Sequence, residues 1–331
     1  MSFDFRADLF DQPIAVPACV IGWDRQFGGG SVKRKGLHRG GIEGRLSYNR
    51  YSTTRQTTIQ DRTGQPVQLQ TRMAQVKRKQ QVALVTGAGR RIGRAIAIGL
   101  ADDGWDVAVH YHRSKHDAET LADEIAARGV KAVAVGCDLE DANALSELLP
   151  ECGRRLGPVG CLVNNAALFE YDSIESLEAR KWERHVNVNL RAPLLLARDF
   201  AKQLPENVLG CIVNMLDQKV FNLNPDFLSY TIAKIGLEGA TRVLAISMAP
   251  RVRVCGVAPG ITLVSGEQSE EGFERAHRFA PLGRSSDVED VVNAVRFVVN
   301  AKSLTGETIV VDGGQHLWPR PRDAQFEAEK S

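Results

Sequence analysis

The sequence lacks the features that mark secreted, metal-binding and membrane-spanning proteins. Its six cysteines are scattered, with no C-x-x-C pair among them, so neither a zinc site nor a disulfide framework is expected. It has no uninterrupted run of 18 apolar residues, and no membrane span is predicted. The N-terminus has no charged segment followed by an apolar one. These absences together predict a cytoplasmic protein without a bound metal.

A strong charge of one sign is also lacking. The formal net charge is +2, and the excess of basic residues is confined to residues 1–72, which hold 11 Lys/Arg against 6 Asp/Glu. The remainder is slightly acidic, so no nucleic-acid partner is expected. With 43% hydrophobic and 25% charged residues, the chain has the composition of an ordinary globular protein that can bury a core.

Residues 1–72 have little apolar periodicity and are rich in glycine, polar and basic residues. Such a segment buries too little apolar surface to offset the entropy of ordering it. We therefore expect a disordered N-terminal extension, or a mis-assigned start that precedes Met73. Acidic residues at Asp4, Asp8 and Asp11 argue against a mitochondrial transit peptide.

From Gln81 onward, short apolar segments alternate with amphipathic ones. The predicted strands are QVALVTG, WDVAVHYH, VKAVAVGCD, GCLVNNAA, GCIVNML, VRVCGVAPG and ETIVVDGG. This alternation predicts an α/β fold, a single domain over residues 73–316 whose doubly wound parallel sheet is of the Rossmann type. Residues 317–331 form a polar C-terminal tail that is expected to fray.

A glycine-rich turn, TGAGRRIG, joins the first strand to the first helix. Glycines in this position let the backbone approach a pyrophosphate, and the helix N-terminus directs amides toward it. The turn therefore predicts a dinucleotide site. Its candidate binding residues are Gly87, Arg90, Arg91, Ile92 and Gly93.

The second strand lacks the acidic residue that usually binds the ribose of NAD. It ends in Tyr111, His112, Arg113 and Ser114, and no carboxylate follows before Asp117. Arg113 and Ser114, helped by Arg90 or Arg91, offer charge-assisted hydrogen bonds to a 2′-phosphate, so the pattern predicts NADPH. The preceding His110 is interpreted as a buried core residue.

Polar residues also follow the third and fourth strands. Asp138 is placed to accept a hydrogen bond from the adenine amino group. Asn164 and Asn165 come at the carboxyl edge where ligands of open α/β sheets bind. The asparagines are equally common in turns, so their assignment depends on the rest of the site.

Tyr230 and Lys234 lie one turn apart on a predicted helix, LSYTIAKIGLEGATRVLAISMA, and therefore share one face. A phenol with a pKa of about 10 is a poor acid–base group at neutral pH. A neighbouring ammonium and the nicotinamide cation carry the charge that favours its phenolate form. The pair predicts a proton donor beside a nicotinamide.

The motifs TGAGRRIG, CDL, NNAA, VNL, YTIAK, PG and VDGG occur in that order, and residues 81–316 thereby resemble the short-chain dehydrogenase/reductase family. The resemblance implies that Asn189 positions a proton-relay water, that Lys234 bonds the nicotinamide ribose and that Thr262 contacts the carboxamide side of the cofactor. It also implies a homotetramer, in which Trp318 packs on a neighbouring subunit. The motifs add Leu139, Ala166, Pro259 and Gly260 to the cofactor-binding residues.

Two departures from the broad family pattern point to a subgroup. Arg91 replaces the middle glycine of T-G-x-x-x-G-x-G, and Asp217 stands where the family has a catalytic serine, thirteen positions before Tyr230. Both changes resemble the pteridine reductases, as does Phe169. In that subgroup the aromatic residue stacks on the pterin opposite the nicotinamide, and the arginine contacts substrate and phosphate. Ala167 departs from the serine common there.

The resemblance implies NADPH-dependent reduction of dihydrobiopterin, dihydromonapterin or dihydrofolate to the tetrahydro form. Asp217, Tyr230, Lys234 and Asn189 are the candidate catalytic residues; Arg91 and Phe169 join Asp217 and Tyr230 as candidate substrate contacts. One alternative is a carbonyl reductase of the same fold, acting on a 3-oxoacyl group or a ketone. Another is a non-catalytic NADPH-binding protein. Residues 261–284 are expected to form a lid over the substrate.

Overall fold

The structure is a computed structural model. It describes residues 81–265 and 268–330, together with Ile59–Gln60 and Pro66–Val67. The last two are short strands that pair antiparallel, with Ile59 opposite Val67. The predicted disorder of residues 1–72, or a start at Met73, otherwise lies outside the described residues.

The chain divides into two compact units, Met1–Met73 and Ala74–Ser331. The second contains the predicted alternation of strands and helices. Its strands are β1 (Val82–Val85), β2 (Asp106–Tyr111), β3 (Ala132–Gly136), β4 (Val159–Asn164), β5 (Gly210–Met215), β6 (Val252–Pro259) and β7 (Thr308–Val311).

Nine α-helices connect or follow these strands in the described part of this unit. They are α1 (Arg91–Asp102), α2 (Lys115–Ala126), α3 (Ala142–Leu156), α4 (Ala179–Val186), α5 (Ala192–Gln203), α6 (Leu228–Met248), α7 (Glu270–His277), α8 (Val288–Asn300) and α9 (Ala324–Lys330). A π-helical turn, Asn187–Arg191, joins α4 to α5, and 3₁₀ turns occupy Gln218–Val220 and Gln315–Leu317. None of the helices in the described residues is long and apolar enough to cross a membrane.

All seven strands of the sheet run parallel, in the order β3-β2-β1-β4-β5-β6-β7. The chain starts in the middle of the sheet and builds outward first on one side and then on the other. The predicted doubly wound α/β fold is therefore confirmed. The order reverses between β1 and β4, and the crevice at such a switch point is where these sheets bind ligands.

Both faces of the sheet are covered. Side chains of α1, α2 and α8, such as Ile96, Leu121 and Val295, pack on one face, and those of α3 and α5, such as Leu148 and Phe200, pack on the other. Because the central strands are buried on both sides, they are continuous apolar runs without alternation. This rigid platform fixes the loops at its carboxyl edge.

The C-terminal tail does not fray, contrary to the expectation from its polar sequence. After the 3₁₀ turn the chain folds back as α9, whose Ala324 and Ala328 are buried against Ala276 of α7. Arg322 forms an ion pair with Asp226, which is buried just before α6. Specific ion pairs and a small-residue helix contact hold this segment, which hydropathy alone does not reveal. We call residues 318–330 the C-terminal arm.

Candidate active site

One cavity of about 920 Å³ lies at the carboxyl ends of the strands. It has two ends. At the cofactor end lie the glycine turn between β1 and α1, Arg113 after β2 and Asp138 after β3. At the substrate end lie Phe169, Asp217, Tyr230 and residues of the C-terminal arm. Lys234 lines the same cavity, so one space holds the glycine turn together with Asp217, Tyr230 and Lys234.

The glycine turn leaves no room for side chains. Gly87 has a φ of +62°, which a residue with a Cβ rarely adopts. A Cβ on Gly93 would lie 2.5 Å from the side-chain nitrogen of Asn165 and still closer to the carbonyl oxygen of Gly87. Asn165 fixes the turn by donating to the carbonyl oxygens of Thr86 and Gly87, and the Ala166 N–H donates to the Thr86 hydroxyl. The turn is a backbone cradle that fits a pyrophosphate.

His110 is part of this cradle as well as of the core. Burial lowers its pKa to about 4, so the imidazole is neutral. Its Nδ1 accepts the N–H of Gly87 at 3.0 Å, and its Nε2 lies 3.1 Å from the carbonyl oxygen of Cys137. Since Nδ1 accepts, the proton resides on Nε2, which donates to that carbonyl. The interpretation of His110 as a satisfied core residue is confirmed, and it also supports the glycine turn.

The three arginines predicted to lie near a 2′-phosphate differ in their partners. Arg90 forms an ion pair with Asp117. Arg91 has a φ of 54° and donates to the carbonyl oxygen of Val264 at 2.8 Å. Arg113 lines the cavity and has no ion pair among the described residues, so its charge is the least compensated of the three. Ser114 and Ile92 line the same end.

The residues predicted to bind the adenine side of the cofactor do not all line the cavity. Asp138 accepts the N–H of Glu140 at 2.9 Å and lies 3.5 Å from the imidazole of His112. Leu139 lines the cavity beside them. Tyr111, predicted to bind cofactor, does not line the cavity: its ring packs on Gly136 of β3, where a Cβ would lie 2.9 Å from the ring. Alternation along β2 places its ring on the opposite face of the sheet from His110.

The centre of the substrate end is a hydrogen bond between two predicted catalytic residues. The Tyr230 hydroxyl on α6 donates to Oδ2 of Asp217 at 2.8 Å, and the Lys219 N–H donates to Oδ1 at 2.8 Å. Burial and the adjacent Asp217 carboxylate raise the pKa of Tyr230 well above its ordinary value. The prediction from the sequence was a lowered pKa, because it took into account only the Lys234 ammonium and the nicotinamide cation. In this arrangement Tyr230 is a protonated donor.

Lys234 lies on the same face of α6, as the spacing predicted. Its ammonium donates to the carbonyl oxygen of Met215 at 2.6 Å and lies 5.6 Å from the centre of the Tyr230 ring. Burial lowers its pKa to about 8, while the carboxylate of Asp217 acts in the opposite direction. The group therefore titrates within reach of physiological pH.

Asn189 lies within the π-helical turn between α4 and α5. Its side chain accepts the N–H of Leu168 at 2.8 Å and donates to the Leu168 carbonyl at 2.9 Å. It does not line the cavity. The side chain thus fixes the loop after β4, and π-helical turns of this kind often occur at functional sites.

Phe169 lines the cavity but is not a free platform. One face stacks on Phe227, with ring centres 4.2 Å apart, and the Tyr230 ring lies nearly perpendicular to it, with ring centres 4.7 Å apart. Its exposed fraction is 40%, which leaves part of the ring open to the cavity. Phe227 itself lies at the start of α6 with a φ of 56°.

The loop after β6 contributes further residues to the lining of the cavity. The Thr262 hydroxyl donates to the carbonyl oxygen of Gly260 at 2.9 Å and lies 2.8 Å from the Ser286 hydroxyl. A Cβ on Gly260 would clash with Ser285 and Asp312. Pro259, Gly260 and Thr262 all line the cavity.

Sequence reasoning missed the residues that complete the substrate end. Lys219, Asp323 and Gln325 line the cavity there, and Lys219 pairs with Asp323 at 2.6 Å although they are 104 positions apart. No spacing rule connects them. The only indication in the sequence that the polar tail makes specific contacts was the adjacent pair of charged residues Arg322 and Asp323.

Metal binding has no support in the described residues, which contain no group of three or more His, Cys, Asp or Glu side chains able to hold an ion. Burial raises the pKa of the Cys152 thiol to about 12 and that of Cys211 to about 12, so these thiols are unreactive core residues.

Comparison with known proteins agrees with this geometry. The short chain dehydrogenase family model matches residues 81–274. The chain belongs to this family, and the predicted family is confirmed.

Named relatives fall into two groups. The 3-oxoacyl-[acyl-carrier-protein] reductase FabG of Staphylococcus epidermidis is 32% identical over 71% of this chain and 98% of its own length. The FolM alternative dihydrofolate reductase 1 of Brucella canis, whose crystal structure is complexed with NADP, is 43% identical, with a TM-score of 0.69 over 73% of this chain and 96% of that one. The corresponding Brucella suis structure, in complex with NADP, is 44% identical with a TM-score of 0.70 over 73% and 97%.

Proposed function

We propose that this protein is a pteridine reductase that uses NADPH to reduce dihydrobiopterin, dihydromonapterin or dihydrofolate to the tetrahydro form. The observation that carries the proposal is the 2.8 Å hydrogen bond from the Tyr230 hydroxyl to Asp217, at a position where the family pattern has serine. NADPH, when bound, supplies the hydride.

The residue types at the substrate end suit a nitrogen heterocycle. A ketone needs a neutral hydroxyl donor at its oxygen. A reduced pterin instead presents ring N–H and amino groups, which donate hydrogen bonds to a carboxylate. Asp217 orients such a ring through these donors, and the Tyr230 proton is available to a ring nitrogen as its neighbouring carbon is reduced. The open part of the Phe169 ring offers the pterin an apolar surface.

For the cofactor, the uncompensated charge of Arg113 supports NADPH over NADH. Arg113 has no ion pair among the described residues and lines the same cavity end as Ser114 and Arg91. A 2′-phosphate would satisfy these donors. The NADP bound in the two Brucella structures supports the same choice.

We assign the remaining predicted residues by their places in the cavity. Lys234, which lines the cavity on the same helix as Tyr230, would bond the nicotinamide ribose, and Thr262 would contact the carboxamide side. Asp138 would meet the adenine. Asn189 supports the site through the loop after β4, and its predicted water relay remains a proposal.

The identities of the relatives support a pteridine. Dihydrofolate contains a pterin ring, and the two FolM proteins share 43% and 44% of aligned residues with this chain, against 32% for the oxoacyl reductase. The second candidate is reduction of a 3-oxoacyl group or ketone, and the FabG relatives are the observation that favours it. The carboxylate of Asp217 separates the two.

The test is NADPH oxidation measured with dihydrobiopterin, dihydromonapterin, dihydrofolate and a panel of 3-oxoacyl and ketone substrates. We expect turnover of at least one pteridine. Reduction of ketones with no activity on any pteridine would overturn the proposal. The matched variant is Asp217→Ser, which restores the family residue and should reduce pteridine turnover while gaining activity on ketones.

We also propose that residues 73–331 suffice for this activity and assemble as a cytoplasmic homotetramer. A chain that begins at Met73 should keep full NADPH oxidation and sediment as four copies. A loss of folding would show that the preceding unit is needed.

A further inference from the structure

A buried ammonium lies beside the proposed substrate-binding carboxylate. Lys219 is in the 3₁₀ turn that follows Asp217, and its side chain is only 3% exposed. Its Nζ lies 2.6 Å from Asn224 Oδ1 and 2.6 Å from Asp323 Oδ2. A buried charge of this kind is stable only when paired and hydrogen-bonded, and among the described residues Asp323 is the acid that pairs with it.

The ion pair and the reacting groups belong to one connected arrangement. Oδ1 of Asp217 accepts the backbone N–H of Lys219, and Oδ2 accepts the Tyr230 hydroxyl, each at 2.8 Å. Lys219 and Asp323 both line the same cavity as Asp217 and Tyr230. A change in the charge of Lys219 or Asp323 therefore alters the electrostatic potential at Asp217, because the buried surroundings screen charge weakly.

Asp323 is held in place by the arm itself and not by Lys219 alone. Its backbone N–H donates to Asp226 Oδ2 at 2.7 Å, and Arg322 donates to both oxygens of Asp226. Three residues further on, Phe326 stacks on Phe227 with ring centres 5.7 Å apart. The arm thus delivers a carboxylate to the substrate end from the far end of the sequence.

We propose that Asp323 is a positioning residue for the reaction: carried into the site by the C-terminal arm, it compensates the ammonium of Lys219 and thereby sets the charge state of Asp217. This inference rests on the proposed function in so far as Asp217 is the group that meets the pteridine.

The charged and titratable groups around Asp217 come from three elements. Tyr230 and Lys234 face it from α6, Lys219 from the 3₁₀ turn and Asp323 from the arm. Burial raises the pKa of Asp217; the backbone N–H of Lys219, the Tyr230 hydrogen bond and the Lys219 ammonium lower it, and the charge of Asp323 raises it. Removal of either member of the ion pair should therefore move that pKa, in opposite directions.

The test compares Asp323→Asn, Lys219→Met and the double variant in the full chain. Asp217 must be ionised to accept from the pteridine, so the acidic limb of kcat/KM marks its titration in the free enzyme. Relative to the unaltered chain, we expect the midpoint of this limb to move to lower pH in Asp323→Asn and to higher pH in Lys219→Met. In the double variant it should return close to its original value.

The same midpoints can be measured without a substrate. Infrared titration detects the protonated carboxyl of Asp217, assigned by its absence in Asp217→Asn, so the inference is testable even if no pteridine is reduced. Absence of turnover by the unaltered chain would overturn the proposed function, whereas unchanged or parallel midpoints would overturn the role of Asp323. A purely structural role would lower activity without opposite shifts.

Two control variants complete the design. Glu329→Gln removes the same charge from the same arm, but Glu329 bonds Ser269 and not Lys219, so the midpoint should stay unchanged. Asp323→Glu keeps the charge and should restore the midpoint if Asp323→Asn folds poorly. A midpoint that moves equally in Glu329→Gln would also overturn the proposal.

Discussion

The two ends of the cavity are built in different ways. At the cofactor end, glycines and backbone groups form the turn between β1 and α1, and the side chains of His110 and Asn165 support it. At the substrate end, side chains do this work: the hydrogen bond between Asp217 and Tyr230, the Phe169–Phe227 stack and the Lys219–Asp323 ion pair.

Under the proposed function, this difference predicts where specificity resides. A backbone cradle tolerates changes in the surrounding side chains as long as the glycines remain, so it suits a cofactor shared by a whole family. A surface of side chains changes with each substitution and suits a substrate that differs between members. Variants at the two ends should accordingly separate cofactor binding from substrate turnover.

The largest effect is expected from Tyr230→Phe. Removal of the hydroxyl removes the proposed proton donor, and general acid catalysis typically contributes about 10²- to 10⁴-fold, so kcat should fall by that factor. NADPH affinity, measured by fluorescence titration, should stay unchanged. Tyr171→Phe is the matched control, because Tyr171 edges onto the same Phe227 ring without contacting Asp217; a similar loss there would contradict the assignment.

Gly93→Ala should break the cofactor end alone. The added methyl meets the Asn165 side chain and the Gly87 carbonyl, and overpacking of this kind costs about 1–3 kcal/mol. The dissociation constant for NADPH should therefore rise by about tenfold or more, as calorimetry can measure. Gly153→Ala, where a Cβ meets nothing within 4 Å, should leave it unchanged. Equal effects of the two changes would argue against a tight cradle.

Arg113→Ala should reduce the preference for NADPH over NADH. Loss of a charge-assisted bond costs about 1.5–3 kcal/mol, so kcat/KM with NADPH should fall about tenfold or more while that with NADH changes little. Arg90→Ala should have a smaller effect, since Arg90 already pairs with Asp117. A larger loss of kcat/KM with NADPH in Arg90→Ala than in Arg113→Ala would indicate that Arg90, and not Arg113, binds the 2′-phosphate.

Phe326→Ala should loosen the substrate end and spare the cofactor. It removes the stack on Phe227 and the edge contact with Tyr171, and such aromatic pairs contribute about 0.5–1.5 kcal/mol each. We expect the KM for the pteridine to rise severalfold with NADPH affinity intact. The control is Phe297→Ala on α8, where the ring is 59% exposed. A shift in NADPH affinity would show that the ends are coupled.

The last prediction concerns the alkaline side of the pH profile, where Lys234→Arg should act. Burial lowers the pKa of Lys234 to about 8, so its ammonium is lost, and kcat/KM declines, as pH rises through about 8. Arginine stays charged, and the decline should move to higher pH. A pH profile of both proteins measures this. An unmoved alkaline limb would assign the decline to another group.

Prediction from the sequence succeeded where short-range pattern decides structure. The apolar runs gave the strands, the glycine turn was placed between β1 and α1, and the spacing of Tyr230 and Lys234 put both on one face of α6. It did not place Tyr111, which was predicted to bind the cofactor but does not line the cavity. It also left Asp217 out of the influences on the pKa of Tyr230, because the 2.8 Å hydrogen bond between them depends on tertiary structure.

The C-terminal arm escaped prediction for a different reason. Its composition resembles a disordered tail, and its order depends on partners such as Asp226 and Ala276, roughly 50 to 100 positions away. Pairing of this kind has no local period. Hydropathy therefore assigned the arm to solvent although it lines part of the site.

The arm also makes the substrate end depend on chain connectivity. Asp323 meets Lys219, and Phe326 meets Phe227, across about a hundred positions of the sequence. A single proteolytic cut between α8 and the arm would therefore separate both contacts from the substrate end, while the glycine turn between β1 and α1 lies on the other side of the cut with all of its own partners.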